Sequence, residues 1–198
     1  MNIDLLIAGY KNNQAQYIAQ PTQNPDTLVI ACCDSRVDPA IITGCNPGDM
    51  FVIRNVANLV PPFNLDLQHH GTSAALEFAV LGLNVKDIII WGHSNCGGIN
   101  ALMREKYSAN ASFINSWMDI VSQAKQQVLQ QHAECSTEEQ AHYCERESLL
   151  ISLQNLMTFP WIQKRVGDGM LKLHAWYFDV GTGIIKRYEQ SNKEFIVL

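Results

Sequence analysis

Apolar runs rich in β-branched residues predict the strands of a sheet. Three of them, at residues 27–31, 50–54 and 87–92, lie in the first half of the chain, and a fourth covers 170–178. The fourth run is followed by Asp-Val-Gly-Thr-Gly and by another apolar stretch at 184–188, which is typical of a hairpin. The pattern therefore predicts three successive strands and a hairpin at the sheet edge.

Helical periodicity occupies most of the intervals between these runs. Apolar residues recur at the spacing of one helix face over 3–19, 66–83, 112–131 and 138–158, and shorter helices are predicted over 37–43 and 97–106. Alternation of strands and helices favours parallel pairing, because a helix carries the chain back across the sheet. We therefore predict an α/β fold: a mainly parallel β-sheet with an antiparallel edge strand, flanked by helices, in a single domain over residues 1–198.

Composition and charge narrow the class of partner. The 198 residues are 47% hydrophobic, and 14 basic against 19 acidic residues give a net charge of −5. A negative net charge lacks the excess of basic residues that binds nucleic acid or an anionic membrane. We therefore expect a small-molecule partner. The N-terminal residues lack the pattern of a signal peptide, which favours a cytoplasmic protein. The six cysteines then suggest metal binding rather than disulfides.

Two strand ends carry the residue types that bind zinc most often. Cys32 and Cys33 follow the first strand, and His93 and Cys96 lie three positions apart after the third. Catalytic zinc takes three such ligands and leaves a fourth position for water. Only one of the adjacent cysteines can face the metal, because neighbouring side chains of an extended strand point to opposite faces. Asp34 shares the face of Cys32, which favours Cys32 as the third ligand.

The sequences at both strand ends resemble family motifs. Residues 32–36 read Cys-Cys-Asp-Ser-Arg and residues 93–97 read His-Ser-Asn-Cys-Gly. They are similar to the C-x-D-S-R and H-x-x-C-G motifs of the β-class carbonic anhydrases, and the likeness continues at 47–49, 51–62 and 74–80. Two motifs in the right order with matching flanks are a specific signal. The resemblance, close over residues 20–105, implies a β-carbonic anhydrase-like fold.

The resemblance also implies an activity and a set of site residues. Family members hydrate carbon dioxide reversibly to bicarbonate and a proton, using a Zn²⁺-bound hydroxide. Here Asp34 would orient the hydroxide, and Arg36 would hold the Asp34 carboxylate through charge-assisted hydrogen bonds. The substrate pocket would be lined by Gln23, Phe51, Val56, Phe78 and Gly97. A homodimer or homotetramer is expected, because family members assemble in this way and residues 60–63 are apolar.

Other readings of the same residues stay open. A carbonyl sulfide or carbon disulfide hydrolase uses a similar metal centre, and a structural zinc-binding interaction protein is an alternative of a different class. The fourth, exchangeable position on the metal argues against the structural reading. A second group, made by His132, Cys135, His142 and Cys144, matches no common zinc spacing.

One regulatory feature of the family is expected to be missing. Some members hold bicarbonate between a tryptophan, an arginine and a tyrosine, and the matching positions here are Val29, Arg54 and Phe178. One polar anchor leaves most of the charge of a buried anion unsatisfied. We therefore expect the open-site type, in which Asp34 is paired to Arg36 and bicarbonate does not regulate the enzyme.

Overall fold

The computed structural model describes residues 2–17, 21–66, 68–105 and 111–198. Six strands form one sheet in the order β2-β1-β3-β4-β5-β6. The strands are β1 Thr27–Cys32, β2 Met50–Asn55, β3 Asp87–His93, β4 Lys172–Phe178, β5 Ile185–Glu189 and β6 Glu194–Val197. The first four strands pair in parallel, whereas β5 and β6 are antiparallel to their neighbours. The predicted α/β fold with an antiparallel edge is confirmed.

Helices cover both faces of this sheet. They are α1 Ile3–Asn13, α2 Pro39–Thr43, α3 Gly71–Glu77, α4 Gly97–Arg104, α5 Ser112–Met118, α6 Ser122–Gln131, α7 Thr137–Leu156 and α8 Pro160–Gly167. One hydrophobic cluster joins Val29 and Ile89 to α4, α5, α6 and α7, and the other joins Leu28 and Ile88 to α3, α7 and α8. Strands β1 and β3 are buried on both faces, as expected of internal parallel strands.

Local capping interactions set the start of helices α2 and α7. The Asp38 carboxylate accepts the backbone N–H groups of Ala40 and Ile41 at 3.0 and 3.3 Å, which begins α2. Helix α7 begins with a capping box between Ser136 and Glu139. Among the helices of the described residues, none is both long and apolar enough to cross a lipid bilayer.

The structure corrects several of the predicted helices. The helix predicted over 66–83 begins at Gly71 and continues as a π-helical turn, Phe78–Gly82. The helix predicted over 112–131 is divided by a 3₁₀ turn at Asp119–Val121. Phe113, which we expected on its apolar face, is 92% exposed. Helix α8 and strand β6 were not predicted. Residues 18, 19, 67 and 106, which the predicted helices included, lie outside the described residues.

The strand order brings two separate strand ends together. Strand β2 lies on one side of β1 and β3 lies on the other, so the direction of sheet construction reverses at β1. Because β1 and β3 are parallel and in register from Thr27 opposite Asp87, their carboxyl ends share one sheet edge. Ligands of open α/β sheets bind at such a reversal. Cys32 and His93 end these two strands.

Candidate metal centre

Cys32, His93 and Cys96 converge at the shared edge of β1 and β3. Their ligand atoms all lie within 4.8 Å of one another, and the residues are 5%, 1% and 2% exposed. Cys33 is exposed and does not belong to this group. Within the described ranges, no other three His, Cys, Asp or Glu side chains are placed to hold one ion, so the residues of the second candidate group do not assemble.

The His93 imidazole presents a free lone pair to the two thiols. Its Nδ1 lies 2.9 Å from the carbonyl oxygen of Ser94, and a carbonyl only accepts, so Nδ1 carries the hydrogen. In the described part of the chain, the buried Nε2 has no hydrogen-bond partner. Thiolates and an imidazole oriented by its second nitrogen are the donor set that zinc prefers. The donors present therefore fit a zinc ion.

Cys32 and Cys96 shift the pKa of each other's thiol in opposite directions. A hydrogen bond from the Cys96 thiol lowers the pKa of Cys32, against the opposing effect of burial. The same hydrogen bond raises the pKa of Cys96, and burial raises it further. The backbone N–H of Asp34 also donates to the Cys32 sulfur at 3.4 Å. Burial lowers the pKa of His93, but the neighbouring Cys32 thiolate outweighs it and the pKa is raised.

Asp34 and Arg36 form a two-point ion pair beside the three ligands. Nε and Nη2 of Arg36 donate to the two carboxylate oxygens of Asp34 at 2.9 and 2.7 Å. This pairing holds the pKa of the Asp34 carboxyl well below its usual range. Arg36 also donates to the carbonyl of Asn95 at 3.0 Å. It thereby ties the loop after β1 to the loop that carries His93 and Cys96.

Two of the expected pocket residues lie beside the loop that carries His93 and Cys96, called the ligand loop below. Val56 is 38% exposed, and a Cβ built on Gly98 would come within 3.0 Å of its Cγ1. Gly97 is the first residue of α4, and a Cβ there would meet no atom within 4 Å. The backbone of Val56 is fixed by the indole N–H of Trp117, which donates to its carbonyl at 2.8 Å. The main chain of Val56 is therefore held in place, and the space next to Gly97 is unfilled.

The other expected pocket residues are placed differently. Phe51 and Phe78 contact each other, with ring centroids 5.8 Å apart, and Phe78 is 51% exposed. Gln23 is exposed in the segment that leads into β1. The single chain thus leaves Phe78 and Gln23 accessible.

Arg54 supports the loop of the first ligand, a role that sequence reasoning missed. Its guanidinium donates to the carbonyls of Cys32, Asp34 and Val37 at 3.0, 2.7 and 3.3 Å and pairs with Asp38 at 3.1 Å. These contacts fix the main chain on both sides of the Cys32–Asp34 turn. A lone charge within the apolar second strand was the signal that could have indicated this role.

Comparisons with known proteins agree on one family. A family model described as carbonic anhydrase matches residues 27–185. Beta carbonic anhydrase 5, chloroplastic, of Arabidopsis thaliana is 44% identical over 158 residues, which are 79% of this chain and 52% of that protein. Beta carbonic anhydrase 3 of the same plant is 37% identical over 93% of this chain and 72% of its own length. The chain thus spans about half the length of the first of these relatives.

Solved structures extend the similarity to the whole chain. The β-carbonic anhydrase CcaA superposes with a TM-score of 0.92 and 30% identity over 99% of both chains. One of two tetrameric β-carbonic anhydrases of Sordaria macrospora gives a TM-score of 0.73 and 31% identity over 93% of this chain and 92% of its own.

Proposed function

The chain belongs to the β-carbonic anhydrase family, and on this premise we propose that it catalyses the reversible hydration of carbon dioxide to bicarbonate and a proton. The observation that carries the proposal is the convergence of Cys32, His93 and Cys96 at the reversal point of the sheet. The Asp34–Arg36 pair beside them supports it.

The three converging side chains would hold a zinc ion. When bound, zinc supplies a Lewis acid that lowers the pKa of a coordinated water molecule. The Ser94 carbonyl keeps His93 in the tautomer whose Nε2 can bind a cation. Binding of a cation would release the protons of the Cys32 and Cys96 thiols, because metal ligands are thiolates.

Asp34 would orient the reacting water. Its carboxylate remains ionised because Arg36 holds it by two hydrogen bonds, so it can only accept a hydrogen bond. An ionised acceptor beside the ligands fixes the direction of one O–H bond and leaves an oxygen lone pair free to face the substrate carbon. Arg36 would act through Asp34, since its guanidinium is also committed to the Asn95 carbonyl.

We further propose that bicarbonate does not regulate this enzyme through the position of Arg54. Its guanidinium is engaged by three main-chain carbonyls and by Asp38. Val29, at the position that matches the family's tryptophan, is fully buried and apolar. Inhibition of the enzyme by bicarbonate should therefore follow a simple hyperbolic curve at neutral pH. A sigmoidal curve that becomes hyperbolic at higher pH would contradict this proposal.

The working unit would be a homodimer or homotetramer. The tetrameric solved relatives support this assembly, and so does the exposure of Phe113 and of apolar residues in α1 on the single chain. The expected partners are thus copies of the same chain and a small-molecule substrate.

A stopped-flow assay on zinc-quantified protein tests the activity. We expect carbon dioxide hydration to scale with zinc content, with carbon disulfide hydrolysed far more slowly. Turnover of carbon disulfide without carbon dioxide hydration would assign the site to the hydrolase alternative. Full zinc content with neither activity would favour the structural alternative.

A further inference from the structure

A carboxylate is buried beneath the ligand loop. Glu145 lies in α7, and its side chain is 1% exposed. Within the described residues its one ion-pair partner is His142, at 3.0 Å, and no lysine or arginine lies within ion-pair distance. Burial of a carboxylate without a strong cationic partner is costly unless hydrogen-bond donors surround it. The donors around Glu145 therefore indicate what its burial stabilises.

Three donors of different kinds converge on the Glu145 carboxylate. The backbone N–H of Cys96 donates to Oε1 at 2.9 Å. The hydroxyl of Tyr177 donates to Oε2 at 2.7 Å, and Nδ1 of His142 lies 3.0 Å from the same oxygen. Tyr177 is 6% exposed and is buried with Glu145, whereas the His142 side chain is 31% exposed and lies at the solvent side of this network. Oε1 thus accepts a hydrogen bond from the ligand loop, and Oε2 is held by the side chains of Tyr177 and His142.

The Cys96 amide lies where the ligand loop turns into α4. Cys96 is the N-cap residue of α4, with extended backbone angles, and Asn95 before it has a left-handed φ of 57°. No regular element supplies a partner to the Cys96 N–H at this turn, so the acceptor has to come from elsewhere. Glu145 supplies it from a helix 49 positions further along the chain.

The same helix supports the other end of the loop. Leu149, one turn after Glu145, packs against Gly92 so closely that a Cβ on Gly92 would lie 2.9 Å from its Cδ2. Helix α7 therefore contacts the chain on both sides of His93, by packing at Gly92 and by a hydrogen bond at Cys96. This places the loop in one position relative to β1 and Cys32.

We propose that Glu145 is a positioning residue of the metal centre, which fixes the main chain of Cys96 so that its sulfur, the sulfur of Cys32 and Nε2 of His93 meet around one cation. The carboxylate acts through the Cys96 amide rather than as a ligand. The proposal rests on the proposed function only in naming zinc as the cation. Removal of groups that orient metal ligands typically weakens metal affinity about 10–100-fold.

Two substitutions separate the hydrogen bond from the charge. Glu145→Ala removes the acceptor of the Cys96 N–H, and Glu145→Gln keeps a carbonyl acceptor in the same shape without the charge. We expect zinc affinity, measured by competition with a chromophoric chelator, to fall about 10–100-fold in Glu145→Ala and less than about tenfold in Glu145→Gln. The visible spectrum of the cobalt-substituted protein should shift in Glu145→Ala, because the ligand geometry changes.

Gln140→Ala is the matched control. Gln140 is also buried in α7, and its amide donates to the His132 carbonyl at 2.9 Å, away from the ligand loop. This variant should lose some stability but keep zinc affinity and the cobalt spectrum. Equal weakening of zinc binding in Gln140→Ala and Glu145→Ala, or wild-type affinity in Glu145→Ala, would overturn the proposal.

Amide hydrogen exchange gives a test that needs neither activity nor a folded Glu145→Ala variant. In the metal-free wild-type protein, the Cys96 amide should exchange slowly, and in Glu145→Gln it should exchange faster because a neutral acceptor is weaker. Fast exchange in the wild type would contradict the proposal. A wild-type protein that binds zinc but does not hydrate carbon dioxide would refute the proposed function and leave this inference intact.

Discussion

Cys32 and Cys33 are adjacent in sequence, yet their surroundings differ at every level. Cys32 is 5% exposed and belongs to the converging ligand group, whereas Cys33 is exposed and outside it. This difference could be predicted because β1 ends at Cys32 and neighbouring residues of a strand face opposite ways. The environment of a residue next to a strand end is thus readable from local pattern alone.

The variant Asp34→Asn tests whether Asp34 orients the reacting water without taking part in metal binding. The amide keeps the shape of the carboxylate but loses the charge that Arg36 and the reacting water both need. We expect carbon dioxide hydration to fall by about 10²-fold or more, with zinc content unchanged.

Asp49→Asn serves as the comparison for this effect. Asp49 is exposed and accepts the backbone N–H of Asn46 in a turn before β2. It should keep the wild-type rate. Loss of zinc from Asp34→Asn, or a rate equal to that of Asp49→Asn, would show that Asp34 does not orient the water.

The contacts of Arg54 and Glu145 could not be predicted from the sequence. Arg54 reaches the carbonyls of the first ligand loop, and Glu145 reaches the amide of Cys96 from a helix far along the chain. Both partners are main-chain groups, which no residue type reveals. Glu145 lies four positions before the buried Leu149, so its place on an apolar stripe was visible. The amide it holds was not visible.

At the scale of elements, strands and long helices were more predictable than their interruptions. The runs at 27–31, 50–54 and 87–92 match β1, β2 and β3 to within one residue at each end. Helix α8 was missed because it is short and begins at Pro160, where the preceding apolar pattern stops. The turn at Asp119–Val121 depends on packing between elements, which periodicity does not contain.

Gly92→Ala tests the close contact between β3 and α7. A Cβ at this position would lie 2.9 and 3.2 Å from the two methyl groups of the fully buried Leu149. We expect the free energy of unfolding, measured with urea, to fall by about 1–3 kcal/mol through overpacking.

Gly167→Ala provides the contrast within the same chain. Gly167 ends α8, and a Cβ there would meet no atom within 4 Å. Its substitution should leave stability unchanged or raise it by up to about 1 kcal/mol, because alanine favours the helix. Equal stability changes in the two variants would contradict the close packing at Gly92.

At the scale of the whole molecule, the reversal of strand order at β1 explains why residues 61 positions apart form one site. Alternating strands and helices predicted the parallel sheet, but that pattern does not contain the order in which the strands lie, which places β3 beside β1. The exposure of α1 could not be predicted. Its periodicity suggested a packed helix, but none of its residues is buried on the single chain.

The proposed homodimer or homotetramer can be tested by its mass in solution. Light scattering should give a mass of two or four chains, and Phe113→Glu should lower it, because a charge would replace an aromatic ring that is 92% exposed. A fully active wild-type monomer would contradict the proposal.

Zinc content and carbon dioxide hydration, measured in two variants that each replace one cysteine, test whether Cys32 is a ligand of the metal centre. Cys32→Ser removes a thiolate from the converging group, whereas Cys33→Ser changes an exposed neighbour outside it. We predict that Cys32→Ser loses most of its zinc and its activity, and that Cys33→Ser keeps about one zinc per chain and the wild-type rate. Retention of zinc and activity in Cys32→Ser, or their loss in Cys33→Ser alone, would contradict the account.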